Sequence, residues 1–137
     1  MTWLIYALFS ALFASLTAIL AKIGLDGINS HLATAVRTAV VLVLAWGMVF
    51  VVGAQREIPQ LSKNNLIFLF LSGLCTGLSW LCYYKALQMG PVSKVAPIDK
   101  LSVVLTIALA AIFLHEPFTL KTAAGSVFLV IGILIML

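Results

Sequence analysis

Three charged residues stand inside stretches that are otherwise apolar enough to lie in lipid: Arg37, Asp99 and Lys100. A fourth, Lys85, comes shortly before a Gly-Pro turn at residues 90–91. A charge at the centre of a membrane helix costs about 3 kcal/mol unless a partner or water receives it, so such residues are hypotheses for a functional site. We therefore predict that a polar pathway through the membrane passes these four residues.

Basic residues outnumber acidic ones in this set, which favours anionic or zwitterionic solutes over cations. Asp99 and Lys100 point about 100° apart on a regular helix, so we expect each to pair with another helix. An ion pair that locks two helices is the alternative to a pathway role. Pro97 lies beside them, lacks an amide donor, and is predicted to kink the helix.

Aromatic residues could complete the pathway. Trp80, Tyr83 and Tyr84 lie near the end of one apolar stretch, where they could form an interfacial belt or the wall of a pocket. We place Trp80 and Tyr83 in the predicted pathway. Arg37 also has two interpretations, because its long stem could carry the guanidinium back to the lipid headgroups or hold it inside a cavity.

The elements that position these residues are helices. Of the 137 residues, 64% are hydrophobic and only 9% charged, whereas soluble domains have about 25% charged residues. A spanning helix needs about 20 apolar residues, and five such stretches fill the chain. We predict an all-α, multi-pass integral membrane protein with one domain over residues 1–137 and helices at about 3–21, 31–53, 65–89, 93–114 and 120–137.

Other functional classes lack a signal. The net charge of +4 comes from basic residues that are scattered singly, so nucleic acid is not a predicted partner. Cys75 and Cys82 are about 10 Å apart along one helix and have no metal-ligand spacing around them. The pattern predicts no catalytic residues, no metal site, no cofactor and no enzymatic activity.

Glycines mark the surfaces where helices could approach closely. Gly73 and Gly77 form a G-x-x-x-G pair, and Gly125 and Gly132 share one face of the last helix. Such positions are typical of helix or dimer contacts. Basic residues near the two membrane surfaces number three on each side, so the positive-inside rule gives no preferred orientation. We expect insertion in both orientations and an antiparallel homodimer of ten helices.

The chain resembles half-size EamA-type transporters of the drug/metabolite transporter superfamily. The resemblance lies in residues 80–96 (WLCYYKALQMGPVSKVA), 113–119 (FLHEPFT) and 125–132 (GSVFLVIG). It implies ten helices built from two five-helix repeats, here from two chains, and movement of small metabolites or drugs by alternating access in the cell membrane.

A more distant similarity is to small multidrug resistance proteins, through Lys22 and the 125–133 segment. That family carries an essential glutamate eight residues before the lysine, where this chain has Ala14, which leaves Asp99 as the one acid predicted inside the membrane. Two functions remain as expectations: a small-molecule transporter, or an accessory subunit that pairs with a different half-transporter and does not transport alone.

Overall fold

The fold is a set of helices joined by short connections. The computed structural model describes residues 2–137, and within that range it contains no β-strand. The elements are α1 (Thr2–Gly24), α2 (Ser30–Val52), a 3₁₀ helix (Ala54–Gln60), α3 (Lys63–Met89), α4 (Val92–Asp99), α5 (Leu101–Phe113) and α6 (Leu120–Met136).

Four segments are long and apolar enough to cross a membrane: α1, α2, α3, and α4 with α5 taken together. The fifth apolar helix, α6, has 17 residues and is about 25 Å long, at the lower limit for a span. Their outward side chains are aliphatic and aromatic, and Phe68 and Phe113 are more than 70% exposed. The prediction of an all-helical, multi-pass membrane protein is confirmed.

The chain divides into two compact units, one comprising residues 20–88 and the other residues 2–19 and 89–137. In the first unit, the connection between α1 and α2 packs on the C-terminal end of α3. The amide of Gln88 donates to the carbonyl oxygen of Ile28 at 2.8 Å, and the ammonium of Lys22 donates to the carbonyl oxygen of Leu87. Leu25 and Leu87 are buried, so this end of the unit is closely packed.

Local sequence explains how α2 begins and ends. Asn29 caps its first turn by accepting a hydrogen bond from the amide of His31, as short polar side chains commonly do. At the other end Gly53 adopts a φ of 82°, and its amide bonds to the carbonyl of Val49. This left-handed conformation is accessible to glycine at little cost, so α2 stops there.

In the second unit, α6 packs against both α4 and α5, and Ile133 is buried. Thr119 caps α6 by accepting a hydrogen bond from the amide of Thr122 at 3.2 Å. Lys94 donates to the carbonyl oxygen of Leu137. The turn before α6 contains His115 at a φ of 54°, an unusual backbone conformation for a residue other than glycine.

One segment differs from the sequence prediction. The fourth predicted helix, 93–114, is two helices that meet at Lys100, three residues after Pro97. The connection after α2 is a 3₁₀ helix that contains Pro59, and most of its residues are exposed. A proline inside apolar sequence predicts a kink but is compatible with more than one local geometry, which is why pattern alone did not define the position of the break.

Candidate functional site

Arg37 forms the centre of a cluster with aromatic side chains of α3. Its guanidinium carbon lies 4.1 Å from the centroid of the Trp80 ring and 5.2 Å from that of Tyr84. Both distances are within the range of cation–π attraction, which contributes about 0.5–2 kcal/mol depending on desolvation. We call Arg37, Trp80 and Tyr84 the arginine–aromatic cluster.

A four-residue spacing in α3 builds the aromatic side of this cluster. Trp80 and Tyr84 are four residues apart and therefore stack along one face of α3. Tyr84 is buried and Trp80 is half-buried. Tyr83 meets the edge of Tyr84 with the ring centroids 6.2 Å apart. Contacts between the aromatic rings therefore stabilise the surface against which the guanidinium lies.

The guanidinium of Arg37 lies beside the ring that is farther from the end of α3. Arg37 is seven residues from the first residue of α2, about 10 Å along the axis. Trp80 and Tyr84 are nine and five residues from the last residue of α3, about 14 and 8 Å. The guanidinium carbon is closer to the Trp80 ring than to the Tyr84 ring, and the position of Arg37 inside a cavity stays a prediction.

The guanidinium has aromatic neighbours but no oxygen acceptor among the described residues. Within residues 2–137, no acceptor hydrogen-bonds to its five N–H donors and no carboxylate forms an ion pair with it. The neighbouring hydroxyls of Thr34 and Thr38 donate to carbonyl oxygens of their own helix, those of Ser30 and Thr34, at 2.8 and 2.7 Å. The cluster therefore presents a fixed positive charge with unused donors.

A cavity lies at the packed end of the same unit, with a volume of about 450 Å³. Its lining includes Lys22, Asp26 and Gln88. Sequence reasoning missed Asp26 and Gln88, although a lone acid in a short glycine-containing connection is a detectable signal. Lys85, which the sequence places in the pathway, hydrogen-bonds to the side-chain oxygen of Gln88 at 3.2 Å and so lies at this end.

Asp99 and Lys100 belong to the other unit. Their side chains contact each other, with Lys100 Nζ 3.3 Å from Asp99 Oδ2, and they remain 38% and 56% exposed respectively. The expectation that the two side chains diverge is wrong, because they form an ion pair with each other. The 100° divergence requires a continuous helix, and the helix is interrupted at Lys100 itself, so the two charges can meet.

The predicted packing glycines have open surroundings. A Cβ atom added at Gly73, Gly77, Gly125 or Gly132 would meet nothing within 4 Å. Within residues 2–137, no other part of the chain fills the space directly beside these four glycines. Among residues 2–137, no group of three His, Cys, Asp or Glu side chains is arranged to hold a metal ion, and no residue set suggests a particular cofactor.

The structure thus brings together part of the predicted site. Arg37 and Trp80 are in contact through the arginine–aromatic cluster, and Tyr83 reaches it through Tyr84. Lys85 directly follows Tyr84 in α3 and bonds to Gln88 at the packed end. Arg37 contacts Tyr84 as well as Trp80, although the pathway prediction left Tyr84 out. Pro97, Asp99 and Lys100 form a second group at the break between α4 and α5.

These features define a class: a multi-pass helical membrane protein with ionic groups inside its spans. Residues 1–137 match the EamA-like transporter family, and the chain belongs to that family. The resemblance derived from the sequence motifs is confirmed, and transport across a membrane is the activity that the family name gives.

Individual relatives agree with this assignment. A protein of a Sinorhizobium species, described as an uncharacterized transporter in cobO 3'region, is 41% identical over 135 residues, which cover 98% of this chain and 96% of that protein. The uncharacterized transporter YvbV of Bacillus subtilis is 38% identical over 65 residues, covering 47% of this chain and 21% of the relative. The uncharacterized protein MJ1333.1 of Methanocaldococcus jannaschii is 30% identical over 81 residues, 59% of each chain. No solved structure matches.

Proposed function

We propose that the chain is a secondary transporter of small metabolites or drugs that works by alternating access as an antiparallel homodimer in the cell membrane. The observation that carries this proposal is the match of residues 1–137 to a transporter family. No catalytic role is proposed for any residue, and we do not assign the chain to an enzyme class.

The relatives support a two-chain assembly. The Sinorhizobium protein is about the length of this chain, whereas the segment matching YvbV makes up 47% of this chain but 21% of the relative. YvbV is therefore more than twice as long. Transporters commonly contain two repeats of inverted topology, and two oppositely inserted copies of a short chain would supply the same arrangement.

Helix count and charge balance are consistent with such insertion. With α6 as a fifth span, the two ends of the chain lie on opposite sides of the membrane. Basic residues near the surfaces are then evenly divided: Arg56, Lys63 and Lys121 on one side, and Lys22, Lys85 and Lys94 on the other. The open faces at the predicted packing glycines are available to a second copy.

The charges inside the spans favour anionic or zwitterionic solutes. Arg37 supplies a positive charge that no acidic group in residues 2–137 neutralises by direct contact, while the Asp99–Lys100 pair is partly exposed and accessible to a solute or to a second chain. Pro97 and the break at Lys100 give this region the irregular backbone that transporters tolerate where it lines a polar cavity.

Reporters of membrane sidedness fused to the C-terminus test the assembly. We expect signal from both sides of the membrane and cross-linking between copies of opposite orientation. Signal from one side alone would exclude the antiparallel homodimer.

The alternative function is an accessory subunit that needs a different half-transporter. Purified chain in liposomes separates the two proposals. Solute flux without other proteins supports the homodimeric transporter, whereas inert liposomes together with a co-purifying unlike chain support the accessory subunit.

A further inference from the structure

The Arg37 guanidinium is unusual for a charge inside a membrane span, because such groups normally obtain an oxygen partner in the protein. Its contacts are aromatic, with the Trp80 centroid 4.1 Å from the guanidinium carbon. Residues 2–137 provide no hydrogen-bond acceptor and no carboxylate partner for it, and the residue is only half-buried. The N–H donors along the edge of the guanidinium are therefore available to a ligand.

Geometry limits what this ligand can be. A guanidinium presents parallel N–H bonds in a rigid fork that matches the two oxygens of a carboxylate or phosphate. A cation would be repelled, and a neutral amide could offer one acceptor oxygen only. We propose, as a deepening of the transport function proposed above, that this edge binds the carboxylate of the transported solute while Trp80 lies beside the solute.

The surroundings preorganise this site. The guanidinium is restrained by two rings from a neighbouring helix, so less conformational freedom is lost when an anion binds. Within residues 20–88 the acids are Asp26, in the connection before α2, and Glu57, in the 3₁₀ helix. Neither forms an ion pair with Arg37, so no internal carboxylate already occupies its edge.

A lipid phosphate has the same oxyanion chemistry and is the rival occupant. The distance of Arg37 from the start of α2, about 10 Å, and its contact with the ring farther from the end of α3 favour a solute that enters the protein. The experiment must therefore contain a phosphate-free condition and a condition with added anionic lipid.

Binding can be read directly at Trp80. The chain has three tryptophans, so the double substitution Trp3→Phe and Trp46→Phe leaves Trp80 as the single indole fluorophore. In maltoside micelles free of phosphate, this protein is titrated with benzoate, benzamide and benzylamine, which share a ring and differ in charge. We expect a saturable fluorescence change with benzoate, at least tenfold weaker binding of benzamide, and no response to benzylamine.

Variants test the fork itself. Arg37→Lys keeps the charge and loses the paired donors, and it should weaken benzoate binding at least tenfold. Arg56→Lys, in the exposed 3₁₀ helix, is the matched control and should bind benzoate as the parent does. Equal binding of benzoate and benzamide by the parent would overturn the proposal without any variant, as would unchanged binding by Arg37→Lys.

Two further experiments distinguish a lipid from a solute as the ligand of Arg37, and the binding site from the transport function. A fluorescence change produced by phosphatidylglycerol but not by benzoate would assign the edge to lipid and overturn the solute site. In liposomes, undiminished benzoate flux through Arg37→Lys would also overturn it while transport stands. Benzoate binding to the fork without any flux would support the oxyanion site while counting against the proposed transport function.

Discussion

The two groups of intramembrane charges differ in where their partners come from. Arg37 is held by rings more than 40 residues away in sequence, on another helix. Lys100 contacts its immediate neighbour Asp99, and both remain partly exposed. The first arrangement requires two helices to keep their distance and rotation, whereas the second requires only a local interruption of the helix.

This difference suggests a division of roles. The unit of residues 20–88 fixes its charge on a platform that also has buried side chains and long-range hydrogen bonds at one end. The helices on either side of Lys100 also have packing partners, since α4 and α5 both pack against α6, but the charged pair at the break is itself partly exposed. We expect substitutions in the arginine–aromatic cluster to lower stability more than substitutions at the break.

The largest expected effect is that of Trp80→Ala. It removes a half-buried ring and the cation–π contact with Arg37, and we expect a loss of about 2–3 kcal/mol, below the range for fully buried aromatics. Unfolding by SDS in mixed micelles, followed by circular dichroism, measures this loss. Trp46→Ala is the control, because Trp46 is 45% exposed and contacts Phe50 of its own helix. Equal losses for the two variants would contradict a special role for the cluster.

Lys22→Met should have the next largest effect. It removes the hydrogen bond to the Leu87 carbonyl that ties the end of α1 to the end of α3, and a bond to a charged group contributes about 1.5–3 kcal/mol. The same SDS titration detects the change, and proteolysis in the connection between α1 and α2 should become faster. Lys121→Met, at an exposed position of α6, should leave both measurements unchanged; a similar loss there would indicate a general effect of charge removal.

Pro97→Ala is expected to stabilise the helix at the break, whereas the preceding substitutions destabilise the protein. Alanine restores an amide donor and is a better helix former, so we expect a gain of about 1 kcal/mol in stability together with slower solute flux in liposomes. Hydrogen exchange should show greater protection around Lys100. A variant that is more stable but transports at the original rate would show that flexibility at this break is not needed for the transport cycle.

The smallest effect is expected for the Asp99–Lys100 pair. Exposed ion pairs contribute about 0.2–1 kcal/mol, and a double-mutant cycle with Asp99→Asn and Lys100→Gln should give a coupling energy in that range. The cycle should be measured in the same SDS titration. Coupling above about 2 kcal/mol would mean that the pair becomes desolvated in the assembled protein, for example by a second copy of the chain.

Helices were accessible to prediction because they follow from local sequence. The apolar stretches, Asn29 before α2 and Thr119 before α6 define the helices to within a few residues, since capping and hydrophobicity act over one or two turns. The first helix runs to Gly24, three residues beyond its predicted end. Lys22 lies in these additional residues, and its ammonium donates to the Leu87 carbonyl.

Contacts between helices were harder to predict from the sequence. Tyr83 and Tyr84 differ by 100° around α3, so a small rotation of the helix decides which ring meets Arg37, and sequence spacing does not give that rotation. The contact of Lys100 with Asp99 likewise depends on a backbone interruption at one residue. Arg37 and Trp80 could be selected as candidates because charge and aromatic character in an apolar span are informative without any knowledge of packing, and their role in a pathway stays a prediction.

The unequal lengths of the helices bear on the lipid environment. α3 has 27 residues and α6 has 17, about 40 and 25 Å, on either side of a hydrocarbon thickness of about 30 Å. A long span adapts by tilting, whereas a short one requires the surrounding acyl chains to compress. Bilayers of shorter-chain phospholipids should therefore accommodate α6 with the least distortion, and acyl-chain length becomes a determinant of how readily the protein inserts and works.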